Sequence, residues 1–471
     1  MIRLLLSLLV ATAILNCGGP TIHNPAAALQ EIGRSPRVHL EAMDLLDSSV
    51  GLSDSSYQEL MQRMLWTPGY TNDARMAALI RLWSVDREGT IRTIRQRLPR
   101  LNNWTWLIEL CAWIANEDIK ELHEALISSW ASTTLLVKTD NERPECIALK
   151  KMYSDKAIAD LIFDSMLAQK KSWKQGYRTR CWELLHRLGQ RDRLIALLAE
   201  TTFADDDAFF LDLQRAKEDL GIVPLCREEI LWIRELAKPE YDSFWQEAIS
   251  ALAQLDSDRR VSVEMRDIPV AVSLARHGGP TAFSRSLSTM VRGISDATDN
   301  QKHYTETEGG GAYDPQSEML RSHLGELTWG DAAALEIALA ALQVPQVRAH
   351  LFDYATRDHV DETTEYGGVI ALDNKGRFEI LEFEPKVRHH DLRFNASQDM
   401  FDAAYTALFH FHFHAQKFRN GDHAGPGLGD KNYATNTRAN CLVFTFVDKN
   451  TMNVDFYRHG NVVIDLGTIS R

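Results

Sequence analysis

Cysteine is scarce in this chain, six in 471 residues, and no two stand in a C-x-x-C pair. That excludes a zinc ribbon and a dithiol redox motif. Five cysteines follow Cys17, namely Cys111, Cys146, Cys181, Cys226 and Cys441, and an odd number leaves at least one outside any disulfide scheme. Basic clusters are missing too. No run of five Lys or Arg occurs and the net charge is −13, which argues against a nucleic-acid partner, because phosphate binding needs clustered cations. There is no G-x-x-x-x-G-K-[ST] loop, so Arg276-His277-Gly278-Gly279 carries no phosphate-binding argument, and there is no G-x-S-x-G elbow. What remains is ordinary globular material, 45% hydrophobic and 25% charged, long enough for two or three domains.

The N-terminus is a targeting signal by its pattern. Arg3 precedes the apolar run Leu4 to Leu15, which is too short to span a bilayer as a mature helix. The run ends in Ile14-Leu15-Asn16-Cys17-Gly18-Gly19, which resembles the lipobox of bacterial lipoproteins. The resemblance implies that residues 1–16 are removed, that Cys17 is acylated, and that a lipid anchor holds the protein in the bacterial cell envelope, on the periplasmic side or facing the surface. Asn16 departs from the small residue usual there, and an ordinary secretory signal cleaved nearby is the alternative.

Residues 17–36 read as a linker. From 37 to 260 apolar residues recur at helical spacing, as in Met76, Leu79, Ile80, Trp83 and in Trp106, Leu107, Leu110, Ile114. The expectation is an all-α array or irregular bundle, loosely HEAT-like, although no fixed repeat period is present. Its tryptophans read as packing rather than as a ligand set. Residues 261–344 are expected to hold a short strand at Val261-Ser262-Val263, connecting helices and a mobile Gly309-Gly310-Gly311 loop. Asp331 is placed in a helix first turn. From 345 to 471 the pattern becomes α+β. Strands are expected over 366–372, 377–383, 408–415, 440–447, 452–457 and 462–466, with a helix over 397–407.

The chemistry concentrates in Phe409-His410-Phe411-His412-Phe413-His414. Strand alternation puts the three phenylalanines on one face and the three histidines on the other. A phenylalanine face needs a core. Three imidazoles in a row repel if protonated, so neutral ligation of a metal explains them naturally. Downstream, Gly425-Pro426-Gly427-Leu428-Gly429-Asp430 can turn tightly and start a helix with Asp430 facing back. Two histidines and one aspartate suffice for an open catalytic zinc site, and Glu365, at the head of the first strand, is a candidate base. The alternatives are histidines merely exposed on an edge strand, or a metal-binding domain without catalysis. His389-His390-Asp391 reads as a solvated turn after Pro385.

The order Glu365, then His412-Phe413-His414, then Gly427-Leu428-Gly429-Asp430 resembles the JAMM/MPN zinc hydrolase domain over about residues 345 to 471. The resemblance implies one zinc ion on His412, His414 and Asp430, Glu365 as general acid and base, and a peptide or isopeptide substrate. Three departures stand out. Gly427 replaces the family's Ser, which helps hold the oxyanion. The loop between His414 and Asp430 is long and carries Asp422 and His423, either of which could take a missing role. His410-x-His412 fits the metal rule as well as His412-x-His414, the latter being favoured by its place at the strand end. The competing expectation is a non-catalytic envelope lipoprotein, a helical scaffold for a protein partner with a degenerate MPN-like domain.

Overall fold

Polar residues just ahead of apolar runs start the helices of the N-terminal half. Asp54, Thr71, Asp86 and Asn103 each accept a backbone N–H three residues on, beginning Ser55–Trp66, Asn72–Val85, Arg87–Arg97 and Trp104–Asn116. A computed structural model describes residues 22–132, 136–137, 139–169, 175–279, 281–305, 318–385, 388 and 394–471. Cys17 and the segment expected to be a signal, the Gly309–Gly311 stretch and His389-His390-Asp391 lie outside them. The chain forms two compact units, Met1–Gln190 and Arg191–Arg471.

The first unit is helical throughout its described residues. Trp106, Trp130 and Trp182 are fully buried in it, as packing requires. Arg143 and Glu145 are buried together, paired at 2.7 Å, with Ser129 donating to the same carboxylate. The stretch read as a linker carries a short helix, Pro25–Gln30, capped by Asn24, with Leu29 buried and its carbonyl bonded by the Tyr70 hydroxyl at 2.7 Å. No helix among the described residues is long and apolar enough to cross a membrane.

The second unit does not begin where the sequence pattern changes. Its helices include α1 (Arg227–Leu236), α2 (Ile268–His277), α3 (Trp329–Gln343) and α4 (Pro345–Val360). Then come β1 (Gly367–Leu372), β2 (Phe378–Glu382), α5 (Gln398–Ala404), β3 (Phe409–His414), α6 (Leu428–Thr437), β4 (Cys441–Asp448), β5 (Thr451–Arg458) and β6 (Val462–Ser470). One sheet results, in the order β2-β1-β3-β4-β5-β6. All neighbours are antiparallel except β3 and β4.

Alternation decides what each face meets. Phe409, Phe411, Phe413, Leu442, Phe444 and Phe456 enter one core with Leu335 of α3, Leu351 and Phe352 of α4, Ile268 of α2 and Trp232 of α1. That shared core is why helices before residue 260 belong to the sheet's unit, which moves the boundary from the expected 260 back to 190. Val261-Ser262-Val263 is likewise a turn after the helix Ser257–Arg260 and not a strand. The opposite face is covered by α6, through Ala434 against Cys441, Val443 and Tyr457, and by α5, through Met400 and Ala404 against Val369 and Ala371. A parallel β3–β4 pair demands a crossover, and α6 is that crossover. It brings Asp430 to the histidine face.

Candidate metal centre

β3 lies between β1 and β4, inside the sheet, so the reading of histidines exposed on an edge strand does not hold. His410 and His412 are buried. Gly367 of β1 pairs with His412. A Cβ at Gly367 would stand 2.5 Å from the Phe411 carbonyl oxygen and 2.7 Å from the Phe394 ring. Glycine there admits Phe394, whose ring lies nearly parallel to His412, 6.2 Å between centroids and 7° between planes.

Three of the expected site residues converge. His412 Nε2 and His414 Nε2 are 3.3 Å apart, and they lie 3.3 Å and 3.6 Å from the two oxygens of Asp430. One ligand atom from each of the three falls within 4.8 Å of the others. Asp430 sits in the first turn of α6, where its carboxylate also accepts the Gly427 N–H at 2.9 Å. His414 donates from Nδ1 to the His423 carbonyl oxygen at 2.9 Å, an outer contact of the kind that fixes a ligand's tautomer and leaves Nε2 facing the centre. The Tyr457 hydroxyl stands 3.4 Å from His412 Nδ1.

The electrostatics ask for positive charge at this point. Burial opposes protonation of His414, but its hydrogen bond to Asp430 and that residue's charge outweigh it and raise the imidazole to about 9. Burial works against the Asp430 carboxylate too, yet His412 and His414 hold it well below its ordinary range. The donor set, two imidazole nitrogens and a carboxylate oxygen, is one that zinc takes when a coordination position is left open, so these residues fit such an ion.

Glu365 lines a cavity of about 420 Å³ together with His410, His412, Asp430, Tyr433 and Tyr457. Burial raises its carboxyl above the usual range, with His412 and His414 pulling the other way. His410 does not join the triad. It meets the Tyr433 hydroxyl through Nδ1 at 2.8 Å, and burial lowers it to about 4. Of the two histidine registers, the geometry therefore brings His412 and His414 to Asp430. The side chains of Asp422 and His423 are exposed on the short turn Gly421–His423, and the His423 backbone carbonyl is what His414 bonds. Gly427 is the residue before α6, and a Cβ there would meet only Asp430 Oδ2, at 3.6 Å.

Sequence reasoning missed Gln416. Its Nε2 donates to Glu365 Oε1 at 2.8 Å, and its Oε1 accepts from Asn420 Nδ2 at 2.9 Å. Asn420 in turn donates its backbone N–H to the Phe446 carbonyl, tying the loop to β4. Extending the alternation from His410, His412 and His414 by one more step would have pointed to Gln416. Tyr433, Tyr457 and Phe394 gave no local signal. No family model, curated protein or solved structure matches the chain.

Proposed function

We propose that this protein is a zinc-dependent amide hydrolase of the JAMM/MPN type, acting on peptide or isopeptide bonds and held in the bacterial envelope by a lipid on Cys17. The observation that carries the reading is the convergence of His412, His414 and Asp430 beside a cavity that His412 and Asp430 line together with the buried Glu365. Glu365 at the head of β1, the histidine pair on the adjoining antiparallel strand and Asp430 in the first turn of a helix are the placements the resemblance implies.

His412, His414 and Asp430 would hold the ion. A bound zinc supplies a water of lowered pKa and polarises the scissile carbonyl. Glu365 accepts the water's proton and returns it to the leaving amine. Burial suits it to both halves of that task by moving its affinity for protons toward neutrality. Gln416 occupies one carboxylate oxygen and so leaves a single oxygen for the transfer. Phe394 lines the cavity beside His412, its ring nearly parallel to the imidazole.

Gly427 supports a second reading, a metal-binding envelope scaffold without catalysis, because the family's Ser contributes to oxyanion stabilisation worth a few kcal/mol. Purified soluble chain beginning after Cys17 distinguishes the two. Under the hydrolase reading it holds about one zinc, lost on His412→Ala or Asp430→Ala. Peptide cleavage then falls roughly a hundredfold or more in Glu365→Gln with zinc content kept. Zinc without cleavage, indifferent to Glu365→Gln, leaves the scaffold. A chain that stays metal-free when zinc is offered overturns both.

A further inference from the structure

A second cavity, of about 340 Å³, opens beside the metal cavity, and His410 and Asn436 line both. Its walls are mostly apolar, formed by Leu231 and Trp232 of α1 and by Phe401, Ala404 and Tyr405 from α5 and its end. Trp232 spends its one polar hydrogen on the Tyr405 carbonyl, at 2.7 Å, so the ring offers an apolar surface. Phe401 stacks on Tyr433, a residue of the metal cavity, at 6.4 Å between centroids. The charged residues lining the cavity, Arg227 and Glu228, pair with each other at 2.6 Å.

We infer that this cavity is a specificity pocket that receives a bulky apolar side chain, aromatic or branched aliphatic, of the peptide whose amide bond lies at Glu365 and His412. The inference rests on the hydrolase reading and names its substrate class. The distance sets the position. His410 is two residues from His412 on β3, about 7 Å along the strand, and an extended peptide advances about 3.3 Å per residue. The side chain that enters therefore belongs to a residue one or two places from the cleaved bond. A cavity of this size takes one large side chain, and burying it there favours binding roughly tenfold or more over leaving it in water.

The test uses the zinc-loaded Glu365→Gln protein, which holds peptide without turning it over. Acetylated hexapeptide amides carry glycine, alanine, leucine or phenylalanine at each of the two positions on either side of the central bond, and affinity is read by calorimetry. At one of those positions leucine and phenylalanine bind roughly tenfold tighter than glycine or more. Gln398→Trp, made on an exposed residue that lines the pocket, removes the preference. Equal affinity across the series, no binding of any peptide, or a preference that survives Gln398→Trp overturns the pocket. Turnover of the same peptides by the unsubstituted protein separates the two ideas. Cleavage with no apolar preference sinks the pocket and leaves the hydrolase. Apolar binding lost in Gln398→Trp, with no cleavage of any peptide, sinks the hydrolase and leaves the pocket.

Discussion

At the scale of single residues, two glycines make opposite predictions. Gly367 has no room for a side chain, since a Cβ would press on the Phe411 carbonyl and the Phe394 ring. Gly367→Ala is expected to cost about 2–3 kcal/mol in chemical denaturation and to weaken zinc binding, because overpacking here displaces the strand that pairs with His412. Gly427 does have room, its nearest Cβ contact being 3.6 Å. Gly427→Ser restores a hydroxyl beside Asp430 at a helix-capping position that favours Ser. Peptide turnover should rise about ten- to a hundredfold, with zinc content and melting temperature kept or improved. An unchanged rate would show that a backbone N–H already serves the oxyanion. Gln416→Ala tests the support of Glu365 in another way. Under the hydrolase reading it should lower kcat about tenfold and shift the pH profile of cleavage while zinc stays bound, since Gln416 holds Glu365 and not the metal triad.

At the scale of elements, the start of α3 is fastened to β5 by buried charge. Asp331 accepts from Arg266 at 2.8 Å and from Arg458 at 2.8 and 2.9 Å, and its carboxylate closes a capping box with Thr328. Burial alone would raise its pKa, but the two guanidinium groups hold it at about 2, against an ordinary 3.8. Depression of this sign gives stability that is present above the unfolded value and lost as pH falls through the folded one. Over the window from about pH 4 to pH 2 the loss amounts to about 2 kcal/mol. Urea unfolding of the second unit should show that slope, and Asp331→Asn should flatten it while costing about 3–5 kcal/mol at neutral pH, because the buried Arg458 loses its carboxylate whereas Arg266 keeps Glu264 at 2.8 Å. Most of these elements were legible from sequence. The Phe-His alternation placed β3 and its two faces, and Asp331 was rightly set in the first turn of a helix, α3. Arg266 and Arg458 were not legible as partners of Asp331, because residues so far apart in the chain leave no periodic trace of their meeting.

At the scale of the whole molecule, the site draws only on residues of the second unit, and that unit's core runs unbroken from Ala216 to Leu466. A chain of residues 191–471 should fold cooperatively, bind about one zinc and keep the activity of the longer protein. A chain of 345–471, the boundary suggested by the change of pattern, should be insoluble or molten, because the phenylalanine face of the sheet would lose α1, α2 and α3. Circular dichroism melts and zinc content of the two pieces check this. Attachment is a separate property of the whole chain. If the lipobox reading holds, Cys17→Ser moves the protein from the membrane to the soluble fraction, and retention on the membrane refutes it.

The sequence by itself determined which side chains can share a face of β3, where polar residues begin helices, and that a carboxylate stands in the first turn of α6. Local geometry dictates those features, since a strand repeats every two residues and a helix every 3.6. Only the tertiary structure decided that His412 and His414, rather than His410, meet Asp430, that Gln416 and Asn420 hold Glu365, and that helices from 191 onward belong with the sheet. Those choices depend on strand order, on the crossover forced by the parallel β3–β4 pair, and on which surfaces a common core can bury.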